Sequence, residues 1–476
     1  MTVGLESSPP EIIWSILRLL DLADVGNLRL TSRCLRSKAT QGHFQSCLRS
    51  KRVKVTGPEL ESLATVTQRG WLGCEIHDLT LVGVVNNTKS LEEAVRANPD
   101  DPRKTDLEIL QQREREYLQL LESGRVVHLL GKAFKSLAAN SAIRKLRSLS
   151  LKVIVYVSNA KDEPPPISGG PLTLRPIWQM AAETYQIVVS ALQDSSLEID
   201  NMYIFSGQQR CSIAGNELST IDYRAEGLTK TLHSLKSLSI SVSEQILSLT
   251  LPDEAEDDSE YETTSEDEDR AFQEAFQDAM MKATDEANFT GLPNLIQACE
   301  NLRSLELHYY RANWSGSLPR IPSERFFQRI AALDTLPAKL EECSLRGLIL
   351  DEENLLAFLR RLPLLRRFAM ETVTLHSGSF RSILDHCTSD TSSNLEYLYL
   401  DELLIQRDLV HFTGVGEPRF HNLIGAHGGN TLKREGADVK KPIPYHLPDN
   451  GMLQTCDSPA KREWIQDQRR EYGPPR

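Results

Sequence analysis

Apolar positions along this chain follow two different periods. Over residues 8–35 they recur at helical spacing. Ile12, Ile13, Ile16, Leu17 and Leu20 form one wide stripe, and Val25, Leu28, Cys34 and Leu35 continue it through one or two further short helices. Ser8-Pro9-Pro10-Glu11 reads as the start of the first helix, with Ser8 as cap, Pro9 in the first turn and Glu11 closing a capping box. Further along, a six-residue pattern takes over: apolar-x-x-apolar-x-apolar. It occurs as IHDLTL (76–81), LRSLSL (146–151), IDNMYI (199–204), LKSLSI (235–240), LRSLEL (302–307), LEECSL (340–345), LRRFAM (365–370) and LEYLYL (395–400). Each instance predicts a short strand whose pattern residues point inward. Helical patterns lie between them, at 126–139, 176–192, 354–362 and 379–387.

Strand alternating with helix predicts an α/β fold with a parallel sheet, in which each unit buries its face against its neighbours. Successive patterns start 70, 53, 36, 67, 38, 25 and 30 residues apart. Regular leucine-rich repeats keep about 20–29 residues, so the reading is an irregular array with insertions; a non-repetitive α/β domain with similar strands is the alternative. Three insertions are legible: a polar stretch at 86–118 with a charged helical run, a Pro/Gly loop at 159–171, and an acidic loop at 251–270. The expected organisation is a helical unit at 5–54, the array at 60–411, and a loosely structured tail at 412–476 with a short helix near 460–470.

Composition adds little beyond this frame. An apolar fraction of 40 % and a charged fraction of 25 % are ordinary globular values. Eleven acids and no base fall within residues 253–269, and they account for almost all of the formal net charge of -12. Local acidity in one loop is therefore a better description than global acidity. The eight cysteines are scattered without a C-x-x-C, as in reduced thiols of an intracellular protein, cytoplasmic or nuclear. No basic n-region or long apolar run points to a signal peptide or a membrane span.

The N-terminal stripe carries more apolar surface than its size explains. Fully burying five such side chains is worth about 1.5–3 kcal/mol each, and a unit of about forty residues rarely hides them all by itself. The surplus packs either on later segments of the chain or on a second protein. The residues also resemble a known motif. L-x-x-x-P-P-E-I (Leu5, Pro9, Pro10, Glu11, Ile12), the stripe through Leu20, and D-x-x-x-L-R-L-T-S-R (Asp24, Leu28 to Arg33) are similar to an F-box of the fungal type. The chain departs from that family at Ser8, where Leu is usual, and Leu5 is the residue placed to substitute. The following array resembles the leucine-rich-repeat solenoids found behind F-boxes. The resemblance implies a non-catalytic substrate receptor of an SCF-type cullin ubiquitin ligase. Pro9, Pro10, Ile12, Ile13, Ile16, Leu17, Leu20 and Leu28 would contact a Skp-type adaptor, and the array would bind a protein substrate. The alternative is an interaction scaffold that does not direct ubiquitin transfer.

Catalytic motifs are absent from the sequence. There is no H-E-x-x-H, no G-x-x-x-x-G-K-[ST] and no G-x-S-x-G. The histidines do not pair at metal spacings, and His77, His233, His308 and His411 read as surface or core residues beside strands. No cofactor or metal is called for. Residues 29–54 hold eight bases and no acid, but they lack interleaved aromatics and a reading motif, which speaks against direct nucleic-acid recognition.

Overall fold

The computed structural model describes residues 5–20, 22–40, 49–69, 75–141, 144–159, 162–163, 171–247, 265–311, 321–406, 408–417 and 429–447, with the single positions 463 and 471. Three helices come first: α1 (Pro10–Leu17), α2 (Leu22–Thr31) and α3 (Arg33–Ala39). A large sheet follows. Its principal strands are β1 (Ser50–Lys54), β2 (Asp78–Asn86), β3 (Lys145–Tyr156), β4 (Glu198–Ile204) and β5 (Ser237–Ser243). They continue with β6 (Ser304–Tyr310), β7 (Glu342–Arg346), β8 (Arg367–Glu371), β9 (Tyr397–Asp401) and β10 (Thr431–Glu435). Their order in the sheet is their order in the chain. The first nine run parallel, and β10 closes the far edge antiparallel to β9. Every connection between consecutive parallel strands contains a helix, as parallel pairing requires of a crossover.

All eight six-residue patterns lie on strands β2 to β9. In six of the eight the first apolar residue sits just before its strand, while Leu146 and Ile199 already lie inside theirs; the other two residues always lie within the strand. Every one of these positions is buried. The pairing puts like with like. Leu79, Leu149, Met202, Leu238, Leu305, Cys343, Phe368 and Leu398 stand side by side across eight strands, and Leu81, Leu151, Ile204, Ile240, Leu307, Leu345, Met370 and Leu400 form a second row. Because side chains alternate along a strand, a slip of one residue would turn both rows to the opposite face. The rows belong to one continuous core with crossover-helix residues such as Phe134, Ile177, Leu232, Ile296, Phe358 and Leu384. The helices therefore cover this face of the sheet. Aromatic rings lock neighbouring helices to each other, as in Phe327 against Phe358 at 5.2 Å.

The last three parallel units share a further detail. Directly after β7, β8 and β9 the chain enters the left-handed region at Gly347 (φ 68°), Thr372 (φ 52°) and Glu402 (φ 49°). Each turn feeds a second short strand, at Ile349–Asp351, Thr374–Ser377 and Leu404–Ile405, and these three pair parallel in a smaller sheet. Glycine adopts this conformation without strain. Thr372 is β-branched, and its buried hydroxyl makes no hydrogen bond.

The charged run expected to be helical in the 86–118 insertion is the helix Lys104–Glu122; a second helix, Lys89–Ala97, precedes it, and Leu91, Leu107 and Leu110 form a small core with Tyr156. Three expectations change. The acidic loop ends earlier than expected, because Ser265 already begins a helix that runs to Thr284; residues 251–264 lie outside the described residues. The region after 412 is not uniformly loose. Thr431–Glu435 pairs with β9, and Leu432 lies beside Leu400, which supplies enough burial to fix an otherwise charged segment. Pro171 starts a helix that reaches Ser195, while most of the Pro/Gly loop and the helix expected near 460–470 lie outside the described residues.

Two substitutions test this account. Phe368→Ala empties the middle of an in-register row and is expected to destabilise the fold by about 3–5 kcal/mol in denaturant titration. Thr372→Gly removes a left-handed β-branched residue, whose cost is about 1–2 kcal/mol, against a loss of about 0.5–1 kcal/mol for added backbone freedom. Its thermal midpoint is expected to match or exceed that of the wild type.

Candidate functional site

The three N-terminal helices build a small bundle with its own core. Ile13, Leu17, Val25, Leu35 and Ala39 are buried together, with Trp14, Leu20 and Leu28 packed at the edge. None of these residues belongs to the core of the sheet. Polar contacts fasten the bundle at both ends. Ser32 caps α3, its hydroxyl accepting from the Leu35 N–H at 3.1 Å. The Trp14 indole donates to the Lys38 carbonyl at 3.3 Å. Lys38 Nζ in turn donates to the carbonyls of Glu6 and Ser8, both at 2.7 Å, tying the chain's start to α3. Arg29 Nε donates to Thr40 Oγ1 at 3.2 Å.

The start of α1 differs from the expected capping box. Pro9 is the N-cap, at φ -55° and ψ 150°, and Pro10 is the first helical residue; no side chain caps this end. The residue before a proline is pushed to extended backbone, which moves the boundary one place along. Ser8 therefore stands outside the capping position.

The wide stripe of α1 divides into two. Ile13 and Leu17 have no exposed surface, so they hold the bundle and cannot also meet a partner in this state. Ile12, one residue away and about 100° around the helix, is 52 % exposed. Pro9 and Pro10 are exposed, and Ile16, Leu20 and Leu28 are half-buried. Two leucines outside the expected set are the most open of all: Leu19 at 87 % and Leu30 at 85 %. Leu19 lies in the turn that follows α1, two residues past its last helical position. Leu19 fell outside the stripe read from the sequence, whereas Leu30 is the second leucine of the D-x-x-x-L-R-L-T-S-R run. Leu5, placed to stand in for the missing family leucine, is 39 % exposed within the short turn Leu5–Ser7.

Comparison with protein families matches residues 9–44 to the F-box domain. The chain carries an F-box. F-box domains generally mediate binding to Skp-type adaptors in SCF-type ubiquitin ligases, and proteins that carry them are typically non-catalytic receptors. The matched range begins at Pro9 and contains both the buried and the exposed stripes of α1. No curated protein matches the chain.

Behind the F-box, the sheet face opposite the main core is polar over most of its length; at the β2–β3 end it carries the buried cluster Val82, Val84 and Ile154 with Tyr156, which the insertion helices meet. Asp78, Ser148, Asn201, Ser237, Ser304, Glu342, Arg367 and Tyr397 align in one row, and Thr80, Ser150, Tyr203, Ser239, Glu306, Ser344, Ala369 and Tyr399 in the next. Short side chains predominate in the middle of both rows, so the backbone of the sheet lies close to the surface there. Charges are matched locally: Asp200 receives Lys145 at 2.7 Å and Lys236 at 2.9 Å, and Arg367 lies 4.0 Å over the Tyr397 ring. Burial opposes ionisation of Asp200, but the two lysines outweigh it and hold the carboxyl below its ordinary range.

Among the described residues, no group of His, Cys, Asp and Glu is placed to hold a metal ion, and no helix is long and apolar enough to cross a membrane. Cys299, Cys343 and Cys387 are buried, and burial pushes each thiol up to about 12, so all three act as small core residues. His308 and His411 are buried, and His233 lies 3.6 Å from Glu300 at the surface.

Ser32→Ala removes the cap of α3. It is expected to weaken the bundle by about 1 kcal/mol, seen as faster amide exchange over residues 33–39 with the sheet unchanged.

Proposed function

We propose that this chain is the substrate-recognition subunit of an SCF-type cullin ubiquitin ligase. The F-box docks on a Skp-type adaptor through Pro9, Pro10, Ile12 and Ile16, extended by Leu19 and Leu30, with Leu20 and Leu28 at the rim. Ile13 and Leu17 act one layer below, by holding that surface in shape. The observation that carries this reading is the exposure of Ile12, Leu19 and Leu30 within the matched F-box. Apolar side chains so open are stabilised by a covering partner, at about 1.5–3 kcal/mol for each one fully buried.

The sheet domain is read as an irregular leucine-rich-repeat-like array. Strand order that follows chain order, two in-register apolar rows and the repeated left-handed turn after β7, β8 and β9 all support it. Its polar face is the surface offered to a substrate protein. The mechanism is proximity: adaptor and substrate bound to one chain raise the effective concentration of the substrate near the conjugating enzyme. The chain itself makes and breaks no bonds.

Ile12→Asp combined with Leu19→Asp is expected to abolish co-purification with the adaptor and cullin while leaving circular dichroism and thermal midpoint unchanged. Wild-type levels of adaptor on the double variant would remove the docking surface named here. Leu17→Asp is the contrasting case, and is expected to lose the adaptor by unfolding the bundle.

A further inference from the structure

The polar face of the sheet has a third row, one step beyond the two open ones. Ser241 on β5, His308 on β6, Arg346 on β7, Glu371 on β8 and Asp401 on β9 pair in sequence across it. This row is covered: Ser241, His308 and Asp401 are buried although they point away from the helices. Arg346 is its cation, and carboxylates crowd that side chain. Glu371 lies 3.3 Å from the guanidinium and Glu306, from the second row, 3.6 Å. The third carboxylate is Glu471, which contacts the guanidinium from 125 residues further along the chain. The backbone of Glu471 also hydrogen-bonds to the His308 ring.

Glu306 and Glu371 are fixed on the strands flanking Arg346. Glu471 is the one of these three carboxylates that does not come from a strand of the sheet. A guanidinium presents five N–H groups in a planar fork, the match for a carboxylate. Among the described residues, three carboxylates meet this one guanidinium. Burial, then the neighbouring Asp401, Glu471 and Glu306, raise the Glu371 carboxyl above its ordinary range despite Arg346. His308 adds no charge, because burial and the adjacent Arg346 hold its imidazole neutral, lowered to about 3. Glu471 is thus held by Arg346 and by the His308 ring, and it faces the carboxylates of Glu306 and Glu371 across the same guanidinium.

We propose that Arg346 and His308 form a carboxylate-recognition point on the partner-facing side of the sheet, filled in cis by Glu471, and that a partner docks there by placing its own Asp or Glu side chain where Glu471 sits. The proposal rests on the reading of this face as the substrate surface, and it specifies the substrate as an unmodified acidic segment. A phosphorylated side chain would bring about -1.5 to -2 charges against the two fixed glutamates and Asp401, where a carboxylate brings one.

The test uses the full chain and a fluorescent peptide of residues 463–476, EWIQDQRREYGPPR. Glu471→Gln in the chain weakens the competitor in cis, so the peptide is expected to bind this variant about tenfold tighter than it binds the wild type. On the same variant, a peptide with Gln or phosphoserine in place of Glu471 is expected to bind about tenfold more weakly than the native peptide. Arg346→Glu should lose the native peptide and gain one with Arg in place of Glu471, and that recovery also shows the variant to be folded. Equal affinity for the Glu and Gln peptides, tighter binding of the phosphoserine peptide, or no recovery by charge exchange would each overturn the proposal. Adaptor capture is measured on the same variants. If it stays at the wild-type level while peptide binding fails, the recognition point is lost and the F-box reading stands.

Discussion

The fold depends on register. Eight parallel strands each place two apolar side chains on one face, and each pair stands beside the equivalent pair of the next strand. Parallel pairing admits no tight hairpin, so every step requires a crossover, and the crossovers supply the helices that bury the rows. Spacing between steps is then free to vary, because an insertion need only return the chain to the same edge. The connection between β2 and β3 holds three helices, while the one between β8 and β9 holds a single helix of eight residues. The rows pass through both without a break.

A consequence of that one-sided burial is a division of labour between faces. The helix side is closed by packing. The opposite side keeps short polar residues and paired charges over most of its length. The F-box is separate in kind, since its five buried residues make a core that shares no member with the sheet. A core that small cannot enclose every apolar residue of three helices. Ile12, Leu19 and Leu30 are what it leaves out.

The strands were legible because their signal repeats. One apolar-x-x-apolar-x-apolar run proves little, but eight of them fix strand positions and the inward residues together. The division of α1 was not legible in the same way. Ile12 and Ile13 are equally apolar neighbours, and only the packing of α3, through Trp14 and Lys38, decides which one turns inward. The helical start shifted by one place because two successive prolines constrain the backbone more strongly than a serine cap attracts it. Strand β10 escaped notice because it has a single buried leucine among charges, and its place is set by β9 beside it. The meeting of Arg346 with Glu471 had no local trace, since 125 residues separate them.

The two end strands carry a final implication. A sheet that grows by adding one strand at a time has no intrinsic stopping point, and a bare edge invites a neighbouring molecule to continue it. Here β1 reads Ser-Lys-Arg-Val-Lys and β10 reads Thr-Leu-Lys-Arg-Glu. Both terminal strands are short and heavily charged, and β10 also reverses direction. Another copy approaching either border would have to bring like charges together before any backbone pairing could form. Short, charged borders of this kind discourage a second chain from extending the sheet.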